Sequence, residues 1–446
     1  MREMKESNIP WVGPIPKEWN VGRIKQGYDV TLGKMYAAKE QQKEDGTLEN
    51  YLCAANIKWA GIDTSVHKQM YFTEKEKEQY LLNNGDAVVM EGGMAGTTCL
   101  YKGEYYPCYI QNSVHKISSK NNNSTSFFAY WMEVVCSSGY VENVCNKATI
   151  MHYTKDKVCN TPLLLIPVEE QNEIVGYLNE KCSVINSSIS RHQQIIEKLE
   201  EYRKSVITQA VTKGLNPEVG IKQTGNEWIP EVPAKWNVVQ MKYVLQSGKE
   251  GLKIGPFGSA LKGKTLADGP YKIYNQAHLI SGDFTLNRHF VSAETFEELQ
   301  SYEVMPGDIL FSMMGTIGKC RIMPKGLQRG LMDSHLLKGR LNDLVDPEYL
   351  IYVYDKDNSS VVINQLLKLS TGSIMNGLNS SILKSIVIPL PPVDVQKQIV
   401  AELNKRTNNI DLAINQHQQL IGKLQEYKQS LIYNAVTGKI DCRTAE

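Results

Sequence analysis

The chain has 446 residues, with 42% hydrophobic and 22% charged side chains and a formal net charge of +1 at neutral pH. That length allows two or three domains of ordinary soluble composition. No apolar run is long enough to cross a membrane, and the near-neutral charge requires any basic surface to be local. The nine cysteines are scattered and none forms Cys-x-x-Cys, so neither a zinc site nor a disulfide framework is expected. The N-terminal residues lack a signal-peptide core, which leaves the cytoplasm as the expected compartment.

In chain order, the first marked stretch is Trp11-Val-Gly-Pro-Ile-Pro16-Lys-Glu-Trp19-Asn20-Val21. Runs that alternate or stay apolar between turn residues predict strands over Asp86 to Met90 and Tyr109 to Ile117. Helical patterns cover Thr73 to Leu82 and Ser126 to Cys136, with the polar segment Lys120 to Ser126 as a loop between strand and helix. Leu165-Ile-Pro167 then leads into a much longer pattern, Pro167 to Thr212, whose apolar seam runs Ile174, Leu178, Ile185, Ile189, Ile196, Leu199. That spacing is heptad-like, and no proline interrupts it.

The sequence then repeats. Trp228-Ile-Pro-Glu-Val-Pro233-Ala-Lys-Trp236-Asn237-Val238 resembles the opening motif. Asn84-Gly85-Asp86 and Gly93-Met-Ala-Gly96 return as Pro306-Gly307-Asp308 and Gly315-Thr-Ile-Gly318. Strands are predicted over Asp308 to Ser312 and Ser385 to Leu390, and helices over Ala293 to Tyr302 and Pro347 to Asp355. A second long helix, Pro392 to Thr437, carries the seam Ile399, Leu403, Ile410, Ile414, Ile421, Leu424. It aligns without a gap to the first, with 22 of 46 positions identical. An isolated helix of that length with one narrow seam needs a partner, and each copy is expected to pack antiparallel on the other. His192 and His417 fall near the seam, where they read as polar spacers that fix register, with a metal or proton-transfer role as the alternative.

The expected fold is therefore α+β, one unit written twice. Two similar α/β modules, residues 1–165 and 216–390, are separated and joined by two long antiparallel coiled-coil-like helices, residues 166–215 and 391–446 with the tail.

No catalytic set appears in the chain. Gly258-Ser-Ala-Leu-Lys-Gly263-Lys264-Thr265 reads literally as a P-loop, but neither a buried strand before it nor a sustained helix after it is expected. What remains are polar and aromatic residues in module loops: Lys34, Tyr36, Lys39, Asn56, Lys58, Trp59, Gln111, Asn112 and His115 in the first. The second offers Lys253, Ser259, Lys262, Lys264, Asn275, Gln276, His278, Lys319, Ser334 and His335. Asn and Gln pair with adenine edges, while Lys reaches guanine or phosphate. These are candidate DNA contacts; no metal ligands are expected. A nucleotide-hydrolysing enzyme and a coiled-coil scaffold without DNA binding are the alternatives.

Three features together resemble the specificity subunits of Type I restriction–modification systems: the Pro-x-x-x-Gln-x-x-Ile-Val opening of each long helix, the repeated Leu-x-x-Tyr-[Arg/Lys]-x-Ser-x-Ile-x-x-Ala-Val-Thr endings, and Gly-Pro-Phe-Gly-Ser. The resemblance implies two target-recognition domains, each reading one half of a split double-stranded DNA site, and a helical spacer between them. It implies no catalysis in this chain. Two methyltransferase subunits and two restriction subunits would be the partners, and S-adenosylmethionine, ATP and magnesium would belong to them. The second copy departs from the family in one place: Glu170 precedes the first helix-leading Gln, while Val395 precedes the second. That change is expected to alter local capping and not function.

Overall fold

The computed structural model describes residues 2–36, 46–145, 151–248, 250–370 and 377–443. Contacts divide it into two compact units, Met1–His192 with Gln419–Glu446, and Gln193–Gln418. Each unit holds one α/β module and part of each long helix.

In the first unit an antiparallel sheet runs in the order Thr98–Leu100, Ala87–Met90, Val114–Ser119, Tyr28–Leu32. A three-stranded sheet lies beside it in sequence, with Gly46–Leu52 between parallel Cys108–Ile110 and antiparallel Gln69–Thr73. Asn20–Arg23 pairs with Pro162–Leu165, so the start of the module is fastened to its end. Helix Thr125–Ser137, capped by Ser124, buries Phe127, Phe128, Trp131, Met132, Val134 and Val135 in the main core. Each such side chain contributes about 1.5–3 kcal/mol when withdrawn from water.

The second unit repeats this plan. Leu252–Ile254, Leu336–Gly339, Ile309–Ser312 and Cys320–Ile322 form the antiparallel four-stranded sheet. Tyr271–Tyr274 lies between antiparallel Phe290–Val291 and parallel Gly330–Met332. Asn237–Gln240 pairs with Val387–Leu390. The repeat extends to single side chains. Asp86 accepts from the Asn83 amide and the Ser118 hydroxyl, and Asp308 accepts from the Met305 amide and the Arg340 guanidinium. The glycine before each aspartate has a positive φ, 93° at Gly85 and 90° at Gly307, the conformation that this turn requires.

The long helices span Val168–Lys213 and Val393–Val436. Each ends at a glycine with left-handed backbone, Gly214 and Gly438. In the first unit Ile174, Leu178, Cys182 and Ile185 share a core with Leu431, Ile432, Ala435 and Val436. In the second, Val206, Ile207, Ala210 and Val211 share one with Ile399, Val400 and Leu403. The head of each helix therefore meets the tail of the other, the expected antiparallel order. Ile189 and Leu424 join the first core from its edge, whereas Ile196, Leu199, Ile414 and Ile421 are half-buried. A seam between helices covers less of a side chain than a seam that also meets a module.

The Trp–Pro–Trp motifs are sockets for helix tails. A Cβ on Gly438 would lie 2.4 Å from Pro16 and 2.8 Å from Trp19, and one on Gly214 would lie 3.2 Å from Trp236. The Glu170 difference also acquires a role. Glu170 accepts from the Trp19 indole N–H at 2.9 Å and pairs with Arg2, so it ties down the N-terminal segment. Val395 instead packs at the edge of the second unit's core.

One predicted strand needs correction. Tyr109 to Ile117 is two strands, Cys108–Ile110 and Val114–Ser119, in different sheets. A turn at residues 111–113, closed by the Val114 amide donating to Gln111, breaks it.

Candidate nucleic-acid interface

At the same end of the four-stranded sheet in each unit, four loops are laced together by backbone hydrogen bonds. In the first unit Gly33 donates to Val114 (3.1 Å), Gln111 to Leu52 (3.0 Å) and Glu91 to Ser113 (2.9 Å). In the second, Gly255 donates to Leu336 (2.9 Å), Asp333 to Tyr274 (2.9 Å) and Met313 to His335 (3.0 Å). The partners correspond one for one through the repeat. The clusters thus join residues 33–36, 52–56, 91–94 and 111–113, and likewise 255–258, 274–278, 313–316 and 333–335.

The candidate contact residues divide by burial. Tyr36, Lys58, Trp59, Ser259, Lys262 and His335 are exposed. Gln111, Asn112, Lys253, Asn275 and Ser334 are half-buried near the loop cluster. Lys39 lies outside the described residues.

Asn56, His115 and His278 are fully buried, which removes them as DNA contacts. Asn56 and His278 occupy matched positions and do the same work. The Asn56 side chain accepts from the Cys53 amide and donates to Asp63 and Val66 carbonyls. His278 accepts from the Asn275 amide on Nδ1 and donates from Nε2 to Leu286. Each staples a loop behind the cluster. His115 donates from Nε2 to the Tyr153 carbonyl.

Several other candidates are engaged within the fold. Lys34 is held by Glu76 and the Tyr71 carbonyl, Lys264 by Glu298, and Lys319 by Asp357. Gln276 donates to the Ser312 hydroxyl and the Met314 carbonyl. The P-loop-like string forms one helical turn, Gly258–Leu261, so it lacks the helix whose amides would cradle phosphates. Among the described residues no three His, Cys, Asp or Glu side chains converge as a metal site.

Burial lowers both His115 and His278 from the usual 6.5. The unfolded chain therefore takes up protons first as pH falls below that value, and folding loses stability as pH drops toward the folded pKa values. His278 Nδ1 lies 3.1 Å from the Asn275 amide nitrogen and 2.9 Å from Asn275 Oδ1, so burial and not a lost acceptor is what disfavours its charged form. Urea unfolding is expected to show lower stability at pH 5.5 than at pH 7.5, with part of the difference lost in His278→Gln.

The candidate contacts drawn from the sequence did not include the exposed apolar residues at the loop tips, Met35, Met94, Phe257 and Met314, although Phe257 stands in the Gly-Pro-Phe-Gly-Ser string. The usable signal was the repeat itself, since Met35 and Phe257 both stand two residues after a matched glycine, Gly33 and Gly255.

The family described as "Type I restriction modification DNA specificity domain" matches residues 16–201 and 234–421. The MjaVIII specificity subunit of a type I restriction enzyme from Methanocaldococcus jannaschii is 23% identical, over 96% of this chain and 94% of that relative. The EcoBI specificity subunit from Escherichia coli is 22% identical, over 83% and 77%. A solved chain from work on complex assembly and conformational transition of the type I R-M system aligns with a TM-score of 0.67 at 14% identity. That alignment covers 96% of this chain and 99% of the other.

Proposed function

Because this chain belongs to the type I restriction–modification DNA specificity family, we propose that it reads a split, asymmetric site in double-stranded DNA, one half with each unit. The observation that carries this reading is the duplicated loop cluster. The same backbone lacing occurs twice, at 33–36, 52–56, 91–94 and 111–113 and again at 255–258, 274–278, 313–316 and 333–335. The exposed side chains within those loops differ between the two: Tyr36 in the first stands where the second has Gly258, and His335 in the second stands where the first has Ser113. Two frames of one design with unlike tips suit two unlike half-sites.

The helix pair acts in this reading as a ruler. Two readers that address one face of a duplex need half-sites about one helical turn apart, roughly 34–36 Å. Methyl transfer and cleavage fall to partners: two methyltransferase subunits and two restriction subunits, which bring S-adenosylmethionine, ATP and magnesium. Ile195, Tyr202, Leu412, Leu420 and Tyr427 stay exposed on the long helices and support docking there. Among the described residues no helix is long and apolar enough to cross a membrane, and the cytoplasm, where chromosomal and invading DNA meet, is the compartment this function requires.

The test is a binding titration of the full chain with its methyltransferase partner. A duplex bearing both halves is expected to bind at least a hundredfold more tightly than a scrambled one at physiological salt. Equal affinity for both at every salt concentration would contradict the proposal, since phosphate contacts alone carry no sequence information.

A further inference from the structure

The two loop clusters share a feature that polar readout does not use. Gly33 and Gly255 are matched glycines, and each is pressed against the turn that follows the three-stranded sheet. A Cβ on Gly33 would lie 2.4 Å from the Gln111 carbonyl oxygen, and one on Gly255 would lie 1.8 Å from the Asp333 carbonyl oxygen. Real Cβ atoms do not approach a backbone oxygen so closely, so only glycine permits this lacing. The Gly33 and Gly255 amides also donate to matched carbonyls, Val114 and Leu336. In the first unit the loop is fixed again beyond the glycine, where the Lys34 amide donates to Ile110 (3.0 Å) and the Asn112 amide to Lys34 (2.8 Å).

Two residues beyond each locked glycine the chain presents a large apolar side chain to solvent. Met35 is 76% exposed and Phe257 is 85% exposed. A fixed backbone that holds an apolar side chain in water gains nothing in the free protein. It is suited to a partner that removes the side chain from water without requiring the loop to be ordered first. In the second unit the exposed Lys262 follows one turn later and can meet phosphate.

We infer that Met35 and Phe257 are matched apolar probes, one per half-site, that touch bases directly and help to set sequence preference. This rests on the DNA-reading function proposed above. Apolar side chains recognise DNA by contact with the thymine 5-methyl group or by partial insertion at a base step. Both remove the exposed surface from water, and both discriminate sequence where a lysine on phosphate does not.

The test uses the full chain with its methyltransferase partner, a duplex carrying the split motif mapped from host methylation, and a scrambled duplex. Phe257→Ala and Met35→Ala are expected to weaken binding to the motif duplex about tenfold each and to leave the scrambled duplex unchanged. Phe257→Leu, which keeps an apolar side chain, is expected to retain most of the affinity. Because both side chains are exposed, the thermal midpoints are expected to match wild type. Replacing thymine by deoxyuridine in one half at a time identifies a methyl contact. Brightening of 2-aminopurine at one step identifies insertion. Wild-type discrimination accompanied by unchanged affinity in both alanine variants would overturn the inference and leave the DNA-reading function standing. So would weakening that is equal on both duplexes. Failure of the wild-type complex to discriminate at all would overturn both.

Discussion

Inserting three heptads into each long helix, at the His192–Gln193 and Gln418–Gln419 joints, is expected to move the two halves of the recognised site apart by about nine base pairs. The arithmetic follows from helix geometry. Twenty-one residues at about 1.5 Å each add roughly 31 Å, and one base pair occupies about 3.4 Å of duplex. That shift is close to a full turn of DNA, so both readers keep the same face. Whole heptads also keep the seam from Ile174 to Leu199 opposite that from Ile399 to Leu424 in phase. A single heptad in each helix adds roughly 10 Å, about three base pairs, and turns the second half-site about a third of the way around the duplex. Specific binding is expected to be lost in that variant, although its fold is retained. Methylation mapping of cells carrying each variant measures the separation. An unchanged separation in the three-heptad variant would show that the helices do not set it.

Gln171→Leu and Gln396→Leu are each expected to cost about 2–4 kcal/mol of stability, because each strands several buried polar groups at once. Gln171 is 2% exposed and Gln396 is fully buried. Gln171 donates to the Ile166 carbonyl (2.9 Å) and Asn123 Oδ1 (2.7 Å), and accepts from the Ser124 amide (2.8 Å). Gln396 donates to the Pro391 (2.8 Å) and Leu344 (2.9 Å) carbonyls and accepts from the Asp346 amide (2.7 Å). Ser124 and Asp346 are the N-caps of the helices Thr125–Ser137 and Pro347–Tyr354. Each glutamine therefore binds the start of a long helix to the start of its module's helix. A leucine of similar volume fills the space but leaves the Ser124 or Asp346 amide and two carbonyls unpaired. The two sites share no partners, so the double variant is expected to lose the sum. Denaturant unfolding of the single and double variants measures this. A loss under about 1 kcal/mol would mean that water or a neighbour takes over the hydrogen bonds.

Much of the fold was legible because the chain states it twice. The gapless match of the long helices and the returning Asn84-Gly85-Asp86 and Pro306-Gly307-Asp308 turns fixed both the plan and the register. The helix-leading glutamines were visible as a motif, but their clamping role was not, since their partners lie 47 to 52 residues away for Ser124 and Leu344. The contact surface was less legible for the same reason. Asn, His and Lys are the residue types that read DNA and also the types that staple loops. Asn56 and His278 closed on backbone amides and carbonyls, and Lys34 and Lys319 on carboxylates. Only packing distinguishes the two uses. Met35 and Phe257 are absent from the candidate contacts, Phe257 entering only within Gly-Pro-Phe-Gly-Ser, because an apolar residue in a loop reads first as core and their exposure depends on glycine contacts that no local pattern encodes.

Single-molecule methylation sequencing of a host that expresses this chain with its methyltransferase partner addresses the two-reader, one-ruler account most directly. The account predicts one interrupted motif, two unlike short sequences at a fixed separation of about one duplex turn, with a modified adenine in each half. A continuous motif, two identical halves, or a separation that varies from site to site would contradict it.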